Sequence, residues 1–223
     1  MAKKTVTKPE RNGGGAKGRK IHATFFMALD GVVEDPGWSL PFWDEGTHQF
    51  KEAELQSTDD LLLGRKTYEE FATAWPPRRD FDAFSRKFNT MPKHVVTRTL
   101  KSAEWENSHV VKGDPKKAIE KLKSTSGGDI GVHGSISLTQ WLMKNDLLDE
   151  LHILLYPITV GSGRRLFEDT PAAHFKLVRS EAFKTGVISM VYERTEAPKE
   201  TGTAQQEYAK AIKRTRHLDT KVK

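Results

Sequence analysis

The chain has 223 residues, enough for one domain with a sizeable core or two small domains. It contains no cysteine, which excludes disulfide bonds and thiolate metal sites and suits a reducing compartment. No apolar run reaches the roughly 18 residues that a membrane-spanning helix needs. The basic opening stretch has no apolar segment of the kind found in secretion signals, so a cytoplasmic location is expected.

The net charge of +6 is unevenly distributed. Residues 1–20 carry a net charge of +6 and residues 199–223 a net charge of +4. The stretch between them has 22 basic and 26 acidic residues, a net charge of −4. The charge pattern therefore does not favour a nucleic-acid-binding face on the central domain, and it leaves such binding to the tails alone.

The same composition suggests three segments. Residues 1–19 are rich in Lys and Gly and are predicted to be a disordered tail. Residues 20–195 are predicted to form the folded domain. Residues 196–223 are polar and basic. The spacing of Ala204, Tyr208, Ala211 and Ile212 is compatible with a short amphipathic helix, and a frayed C-terminal appendage is the commoner explanation.

Between the tails, strand patterns alternate with helical ones. This order indicates an α/β domain with a mostly parallel sheet, and two successive strands at the end indicate an antiparallel edge. Strands are predicted at residues 21–33, 60–63, 93–97, 129–132, 151–159, 175–183 and 187–194. Helices are predicted at residues 42–58, 68–74, 114–123 and 135–144, the third opening with an Asp N-cap followed by Pro.

One strand–turn–helix junction follows the second strand, at Gly64, Arg65, Lys66 and Thr67. The start of a helix offers unpaired N–H groups and the positive end of a dipole, which attract phosphate. Arg65 and Lys66 add positive charge, and Thr67 can act as an N-cap. An ordinary capped helix with solvated basic side chains explains the same residues.

A second junction of this kind follows the strand at residues 129–132. His133, Gly134 and Ser135 lead into the next helix, and a Gly-Ser pair lets the backbone approach a pyrophosphate closely. The sequence matches neither the dinucleotide-binding nor the Walker A pattern. His133 is a candidate acid or base, although a single histidine at a strand end is more often a packed residue.

Thr97 and Arg98 end the third strand. An Arg at this position favours NADPH over NADH because it can bind the 2′-phosphate, while a simple surface Arg is the alternative.

Together these segments resemble the dihydrofolate reductase superfamily, and in particular the reductase domain of the bacterial riboflavin-biosynthesis deaminase–reductase and its stand-alone relatives. The similarity covers about residues 20–195, in the right order. The matching segments are residues 27–31 (MALDG), 63–67 (LGRKT), 95–98 (VVTR), 131–135 (GVHGS), 148–151 (LDEL) and 156–167 (YPITVGSGRRLF).

The resemblance implies a dihydrofolate-reductase-like three-layer fold, with a central sheet, flanking helices and NADPH bound across the strand ends. It also implies a small-molecule substrate and, through the long strand at residues 148–156, a homodimer. Family members often have a cis peptide at the position of His133 and Gly134. The implied cofactor-binding residues are Gly64, Arg65, Lys66, Thr67, Thr97, Arg98, Val132, His133, Gly134, Ser135 and Ile136.

The chain departs from both families at the substrate site. The acid that holds the pterin in dihydrofolate reductases falls on Trp43, and a Glu of the riboflavin reductases, two positions before the turn glycine, falls on Val132. The zinc deaminase half is absent from the sequence, and no metal is expected. Trp38, Phe42 and Trp43 are candidates for the wall of a substrate pocket or for core packing under a loop.

The expected activity is NADPH-dependent hydride transfer to a heterocyclic or sugar-linked small molecule, as in 5-amino-6-(5-phosphoribosylamino)uracil reductase. The proton is expected to come from water or from a nearby acid, for which Asp30 and Asp44 are the candidates. The alternatives are a dihydrofolate-type pterin reductase, a nucleotide-binding protein of the same fold without turnover, and binding of nucleic acid by the tails.

Overall fold

The structure is a computed structural model of the protein, and it describes residues 18–168 and 170–197. The helix predicted around Tyr208 lies outside these residues. Within the described residues there are eight strands, at Ile21–Ala28 (β1), Thr58–Gly64 (β2), Lys93–Val96 (β3), Ser108–Val110 (β4), Asp129–His133 (β5), Glu150–Tyr156 (β6), His174–Ala182 (β7) and Ile188–Thr195 (β8). The same part of the chain has five α-helices, at Glu45–Ser57 (α1), Arg65–Ala74 (α2), Ala83–Thr90 (α3), Pro115–Lys123 (α4) and Ile136–Lys144 (α5), with short 3-10 helices at Pro36–Phe42 and Pro76–Arg78.

All eight strands form one sheet in the order β4-β3-β2-β5-β1-β6-β8-β7. The first six strands in this order run parallel, whereas β8 pairs antiparallel with β6 and β7 pairs antiparallel with β8. The parallel strands therefore end at one edge of the sheet, which we call the carboxyl edge. This topology confirms the predicted α/β fold with an antiparallel C-terminal edge.

Strand β2 shows why the central sheet forms from near-continuous apolar runs. Leu61, Leu62 and Leu63 are all fully buried, because successive side chains point to opposite faces and both faces are covered. Leu62 packs in one core cluster with Ile130, while Leu61 and Leu63 pack in another with Phe88. Each face of the sheet therefore has its own apolar layer beneath helices.

Several predicted boundaries were wrong in ways that the local structure explains. The first strand ends at Ala28 rather than at residue 33, because Gly31 adopts a positive φ of 82° and its N–H bonds back to the Ala28 carbonyl. The first α-helix begins at Glu45, where the Asp44 side chain accepts a hydrogen bond from the Thr47 N–H. The helix at α3 and the short strand β4 were not predicted.

The folded domain also begins earlier than the predicted Lys20. Arg19, assigned to the disordered tail, is 8% exposed and forms a buried ion pair with Asp60. Its Nε donates to the Gly128 carbonyl at 2.6 Å. These contacts attach the residue before β1 to the strands beside it.

The strand expected to form a homodimer lies inside the sheet. β6 is hydrogen-bonded to β1 on one side and to β8 on the other, so its backbone cannot pair with a second copy. The outermost antiparallel strand is β7, most of whose side chains are exposed. Among the described residues, no helix is long and apolar enough to cross a membrane.

Candidate cofactor and substrate site

The two predicted phosphate-binding junctions lie side by side at the carboxyl edge. Strands β2 and β5 are neighbours and run parallel, so the turn into α2 and the turn into α5 leave the sheet together. The Gly64 N–H donates to the Ser135 hydroxyl oxygen at 3.0 Å, which links the two junctions directly. Two helix N-termini thus present their unpaired N–H groups and positive dipole ends at one place.

The turn after β5 has a backbone suited to a close ligand. Gly134 and Ser135 have φ values of 65° and 58°, so two successive residues lie in the left-handed region. The Gly134 N–H donates to the Thr24 carbonyl of β1 at 3.2 Å. A Cβ atom at Gly134 would have only the Thr67 side chain within 4 Å, at 3.9 Å. The turn is therefore anchored on the sheet side and open on the other.

The expected cis peptide between His133 and Gly134 is not present, since every peptide bond of the described residues is trans. The two left-handed residues reverse the chain direction instead.

The junction after β2 differs in its capping from the prediction. Helix α2 begins at Arg65, so Gly64 is the N-cap and the Thr67 side chain does not cap the helix. Arg65 pairs with Glu69 at 2.8 Å, and the Lys66 ammonium lies 3.8 Å from Glu34. Both basic side chains are mostly exposed beside the helix N-terminus, where they add positive charge.

Thr97 and Arg98 follow β3, the strand next to β2, and so lie at the same edge. The Thr97 hydroxyl accepts hydrogen bonds from the N–H groups of Thr99 and Leu100, both at 3.1 Å. It therefore stabilises the turn, while the Arg98 side chain is exposed. An exposed guanidinium on the strand beside β2 is suitably placed for an anionic ligand reaching outward from the two junctions.

Val132 cannot take part through its side chain. It is fully buried in the core cluster on the α5 face of the sheet, and only its backbone is near the turn. Ile136, the first residue of α5, is half-buried and packs against the same cluster.

Both predicted proton donors are occupied by hydrogen bonds that stabilise the ionised form. The Asp30 carboxylate accepts from the N–H groups of Val160 and Gly161, at 3.2 and 2.7 Å, and the Gly161 bond lowers its pKa. The Asp44 carboxylate caps α1 through the Thr47 N–H at 2.9 Å, which lowers its pKa as well. A carboxylate that is ionised at neutral pH has no proton to give, so neither residue suits the predicted role.

The aromatic residues before α1 divide between core and surface. Trp38 and Phe42 pack edge-on against the ring of the fully buried Tyr156, with centroids 5.5 and 5.9 Å away. Trp43 is 46% exposed and meets the Phe26 ring edge-on at 6.2 Å. Trp38 and Phe42, both partly buried, therefore support the loop over the sheet, and Trp43 is the most exposed of the three.

A buried polar cluster that was not predicted lies beside the turn after β5. Its centre is the Glu54 carboxylate of α1, which bonds the Lys51 ammonium through Oε2 and the Thr24 hydroxyl through Oε1. His152 Nδ1 is 2.7 Å from Oε1, and the Lys51 ammonium is also 3.0 Å from His133 Nδ1. The cluster thus joins α1 to the last residue of β5, directly before the glycine of the second turn.

Positively and negatively charged groups alternate along this cluster. Burial alone would raise the pKa of Glu54, but Lys51 and the hydrogen bond from His152 hold it well below its usual value. Burial would lower the pKa of His152, yet hydrogen bonds to Glu150, at 3.2 Å, and to Glu54 raise it. Both His152 nitrogens face carboxylate oxygens, so both donate when the ring is an imidazolium.

The other two histidines are neutral at neutral pH. Burial lowers the pKa of His22 to about 4 and holds that of His133 well below its usual value, with the Lys51 charge acting in the same direction on both. Because the Lys51 ammonium can only donate to His133 Nδ1, the ring proton of His133 is on Nε2. That buried Nε2 has no hydrogen-bond partner among the described residues.

The cluster is better suited to hydrogen bonding than to metal binding. Ligand atoms of His22, Glu54 and His152 lie within 4.8 Å of one another, a spacing that could hold an ion. However, the two imidazoles are stacked, with an interplanar angle of 3° and centroids 4.7 Å apart, so their in-plane lone pairs cannot converge on one ion. The Lys51 ammonium already neutralises the carboxylate.

Sequence patterns contained only a weak signal for this cluster. His22 and Thr24 alternate with apolar residues along β1, a pattern that usually marks a solvent-facing side. Here that side is covered by α1. Lys51 and Glu54 are three residues apart on that helix and share a face, but charged pairs of this spacing are common on exposed helices.

Comparison with known proteins agrees with this geometry. The sequence profile of the RibD C-terminal domain family matches residues 19–189. The chain belongs to the RibD C-terminal domain family. Among curated relatives, the uncharacterized protein YyaP of Bacillus subtilis is 28% identical over 185 residues, which covers 79% of this chain and 95% of YyaP.

Solved structures of RibD-like and dihydrofolate reductase proteins share the fold. A protein of Shewanella sp. PV-4 with a proposed role in riboflavin biosynthesis superposes with a TM-score of 0.61 at 22% identity, covering 79% of this chain and 99% of that one. Dihydrofolate reductase from Enterococcus faecalis, solved with NADP(H), superposes with a TM-score of 0.52 at 15% identity, covering 79% and 97%. The predicted family resemblance is thereby confirmed.

Proposed function

We propose that this RibD C-terminal domain protein is an NADPH-dependent reductase that transfers a hydride to a C=N or C=O carbon of a heterocyclic or sugar-linked small molecule. The observation that carries the proposal is the direct link between the two phosphate-ready junctions, Gly64 N–H to the Ser135 hydroxyl. A dinucleotide needs two such sites side by side, since its pyrophosphate and its 2′-phosphate are both anionic.

The residues at the carboxyl edge fit the cofactor. The N–H groups at Ser135 and Ile136 and the open face of Gly134 would hold the pyrophosphate. Arg65, Lys66 and Thr67, in the first turn of α2, would hold the adenosine side, and Arg98 the 2′-phosphate. The bound cofactor supplies the hydride, and the protein orients it. The E. faecalis enzyme, solved with NADP(H), supports the choice of cofactor.

The substrate is proposed to resemble that of 5-amino-6-(5-phosphoribosylamino)uracil reductases more than dihydrofolate. The position of the pterin-binding acid is the half-exposed Trp43, which cannot pair with a protonated pterin ring. A cytoplasmic location, a small-molecule substrate and a homodimer remain parts of this proposal. Binding of NADPH without turnover is the outcome that would reduce it to a nucleotide-binding protein.

The test is NADPH binding by the full chain and by Gly134→Asp. The new carboxylate would lie at the pyrophosphate position, so we expect the Kd for NADPH to rise at least about tenfold, with weaker binding of NADH than of NADPH by the unchanged protein. Gly113→Asp is the matched control. Gly113 also has a positive φ (74°) and open space around it, but it follows β4, two strands away from β2 and three from β5 along the carboxyl edge. Equal NADPH affinity in all three proteins would refute the proposed site.

Turnover is then measured as NADPH oxidation with ribosylaminopyrimidines, pterins and simple imines. Oxidation with a ribosylaminopyrimidine is the expected result, and faster oxidation with dihydrofolate would favour the pterin reductase instead.

A further inference from the structure

Lys51 is held in the domain interior by two contacts that fix the position of its ammonium group. The ammonium bonds Glu54 Oε2 and lies 3.0 Å from His133 Nδ1, and only 12% of the side chain is exposed. One partner is on its own helix and the other is the last residue of β5. The group therefore lies between α1 and the strand end that leads into the Gly134 turn.

An ammonium group has three N–H donors, and the described contacts of Lys51 use two of them. The third remains for a ligand. The ammonium contacts His133, the residue directly before Gly134, so it lies beside the proposed cofactor site. A substrate bound next to the cofactor on the α1 side of β1 and β5 would come within reach of Lys51.

Hydride transfer to a C=N or C=O bond also requires a proton. Asp30 and Asp44 are less suited to supply it than a cationic group, because backbone N–H groups lower the pKa of both carboxyl groups. In the cluster beside the turn, Glu54 is ionised and His133 presents its only acceptor nitrogen to Lys51. Lys51 is thus the proton-bearing group of this cluster with a donor left over.

We propose that Lys51 is the catalytic residue that hydrogen-bonds the nitrogen or oxygen of the reducible bond and delivers the proton to it. This rests on the proposed reductase function. The hydride, with two electrons, passes from the dihydronicotinamide to the carbon as the C=N or C=O π bond breaks. Its electrons go to the heteroatom, which takes a proton from the Lys51 ammonium. The products are the amine or alcohol and NADP⁺.

The neighbouring residues prepare Lys51 for a second turnover. The resulting neutral amine stays on Glu54, whose other oxygen faces the His152 ring. His152 in turn contacts Glu150, and Glu150 pairs with Lys20 at 2.6 Å, where the Lys20 side chain is 43% exposed. A continuous line of hydrogen-bonded groups therefore connects Lys51 to solvent at the far side of the cluster. Glu54 and His152 act as positioning residues, since neither has a free donor toward the substrate side.

The experiment compares the full chain with Lys51→Met, Lys51→Arg and the double variant Lys51→Met/Glu54→Gln. The double variant removes both charges together, so it folds even if an unpaired Glu54 destabilises the single variant. Lys87→Met is the control, because the Lys87 ammonium also bonds the end of α1, through the Leu55 carbonyl at 2.6 Å, but lies outside the cluster. Each protein is titrated with NADPH and then assayed with the substrate that the unchanged chain reduces fastest.

We expect NADPH affinity within about threefold in all five proteins, and kcat lower by about a hundredfold or more in both variants with Met at position 51. Lys51→Arg should keep part of the binding of substrate but lose most of the turnover, because a guanidinium does not release its proton near neutral pH. Turnover within threefold of normal in the double variant would overturn the assignment. Failure of the proposed reductase function would give a different result, because the unchanged chain would then not bind NADPH.

A second readout does not need turnover. The Lys51 ammonium is detected by ¹H–¹⁵N NMR in the NADP⁺ complex, assigned through its loss in Lys51→Met, while each pyrimidine, pterin and imine is added. Contact with the third N–H predicts a shift of this signal and not of the Lys87 signal. If every compound leaves the Lys51 signal unchanged, the assignment is wrong.

Discussion

Two histidines that stack on each other have opposite preferences for a proton. His22 and His152 are 4.7 Å apart and both buried, yet the pKa of His22 falls to about 4 while that of His152 rises. Burial acts on both, but only His152 has a carboxylate at each nitrogen. The neighbours, rather than the depth of burial, decide which ring carries the charge.

This difference predicts the acid sensitivity of the fold. The pKa of His22 is lower in the folded chain than the 6.5 of an unfolded one, so the unfolded state binds more protons between pH 6.5 and about 4. Stability should fall over this window, by about 3 kcal/mol from His22 alone. The test is urea unfolding at a series of pH values. In His22→Gln the slope of the unfolding free energy against pH should be smaller, because up to one proton fewer is taken up on unfolding.

His109, an exposed residue of β4, provides the control, and His109→Gln should leave the slope as it is. His152 contributes in the opposite direction. Its stabilisation is complete below pH 6.5 and is lost as the pH rises through its raised pKa. An unchanged acid slope in His22→Gln would mean that His22 is charged in the folded protein.

At the scale of single residues, sequence patterns predicted the residues of the two turns better than those of the buried polar cluster. Gly64, Gly134 and Ser135 stand at fixed offsets from apolar strands, and the conformations that they need are local. Lys51 and Glu54 depend on a helix packing over the polar face of β1. Nothing within a few residues of either one shows that the face is covered, so the cluster could not be predicted.

Among the elements, the link between the two helix N-termini is the arrangement on which the proposed cofactor binding depends. α2 and α5 follow neighbouring strands, but adjacency alone does not align their first turns. The Ser135 hydroxyl does so by accepting from the Gly64 N–H. This hydrogen bond also gives the N–H of the N-cap residue a partner that the helix itself does not provide.

Ser135→Ala should remove the hydrogen bond that links the two junctions. We expect a loss of about 1 kcal/mol in the free energy of unfolding and about a tenfold rise in the Kd for NADPH, because one hydrogen bond is lost and the two junctions separate. Thermal unfolding and cofactor titration measure the two effects. Ser124→Ala, at the end of α4 and away from this edge, should alter neither by as much. If Ser135→Ala binds NADPH with normal affinity, this hydrogen bond does not align the proposed site.

Element prediction succeeded where the signals are local. Helix α4 carries its Asp114 cap and Pro115 start in the sequence, and the cap bond to the Lys116 N–H is present at 2.8 Å. Helix α3 has eight residues and β4 three, too short for a periodic pattern. They form because Phe88 and Trp105 pack into the cluster under α2, a tertiary effect.

For the whole molecule, charge is distributed unevenly between the described residues and the two ends of the sequence. Every strand, helix and junction described here lies within residues 18–197, whereas most of the excess positive charge lies outside them. A chain trimmed to residues 18–197 should therefore bind NADPH within about twofold of the full chain. It should bind nucleic acid less than the full chain does at low salt.

Fluorescence titration with NADPH and filter binding of a DNA duplex at two salt concentrations measure these properties. Cofactor affinity that drops on trimming would show that a tail contributes to the site. Equal DNA binding by both chains would place any such activity on the domain.

The first and last strands of the described domain have their outer ends at the edge opposite the proposed cofactor site. β1 starts, and β8 finishes, beside the start of β6, where Lys20 and Glu193 form an ion pair at 3.3 Å. A strand of eight residues separates this edge from the carboxyl edge by about 26 Å. Fusion or immobilisation next to residue 18 or residue 197 should therefore leave the carboxyl edge facing outward, and the nearness of these two positions makes the domain a suitable starting point for circular permutation.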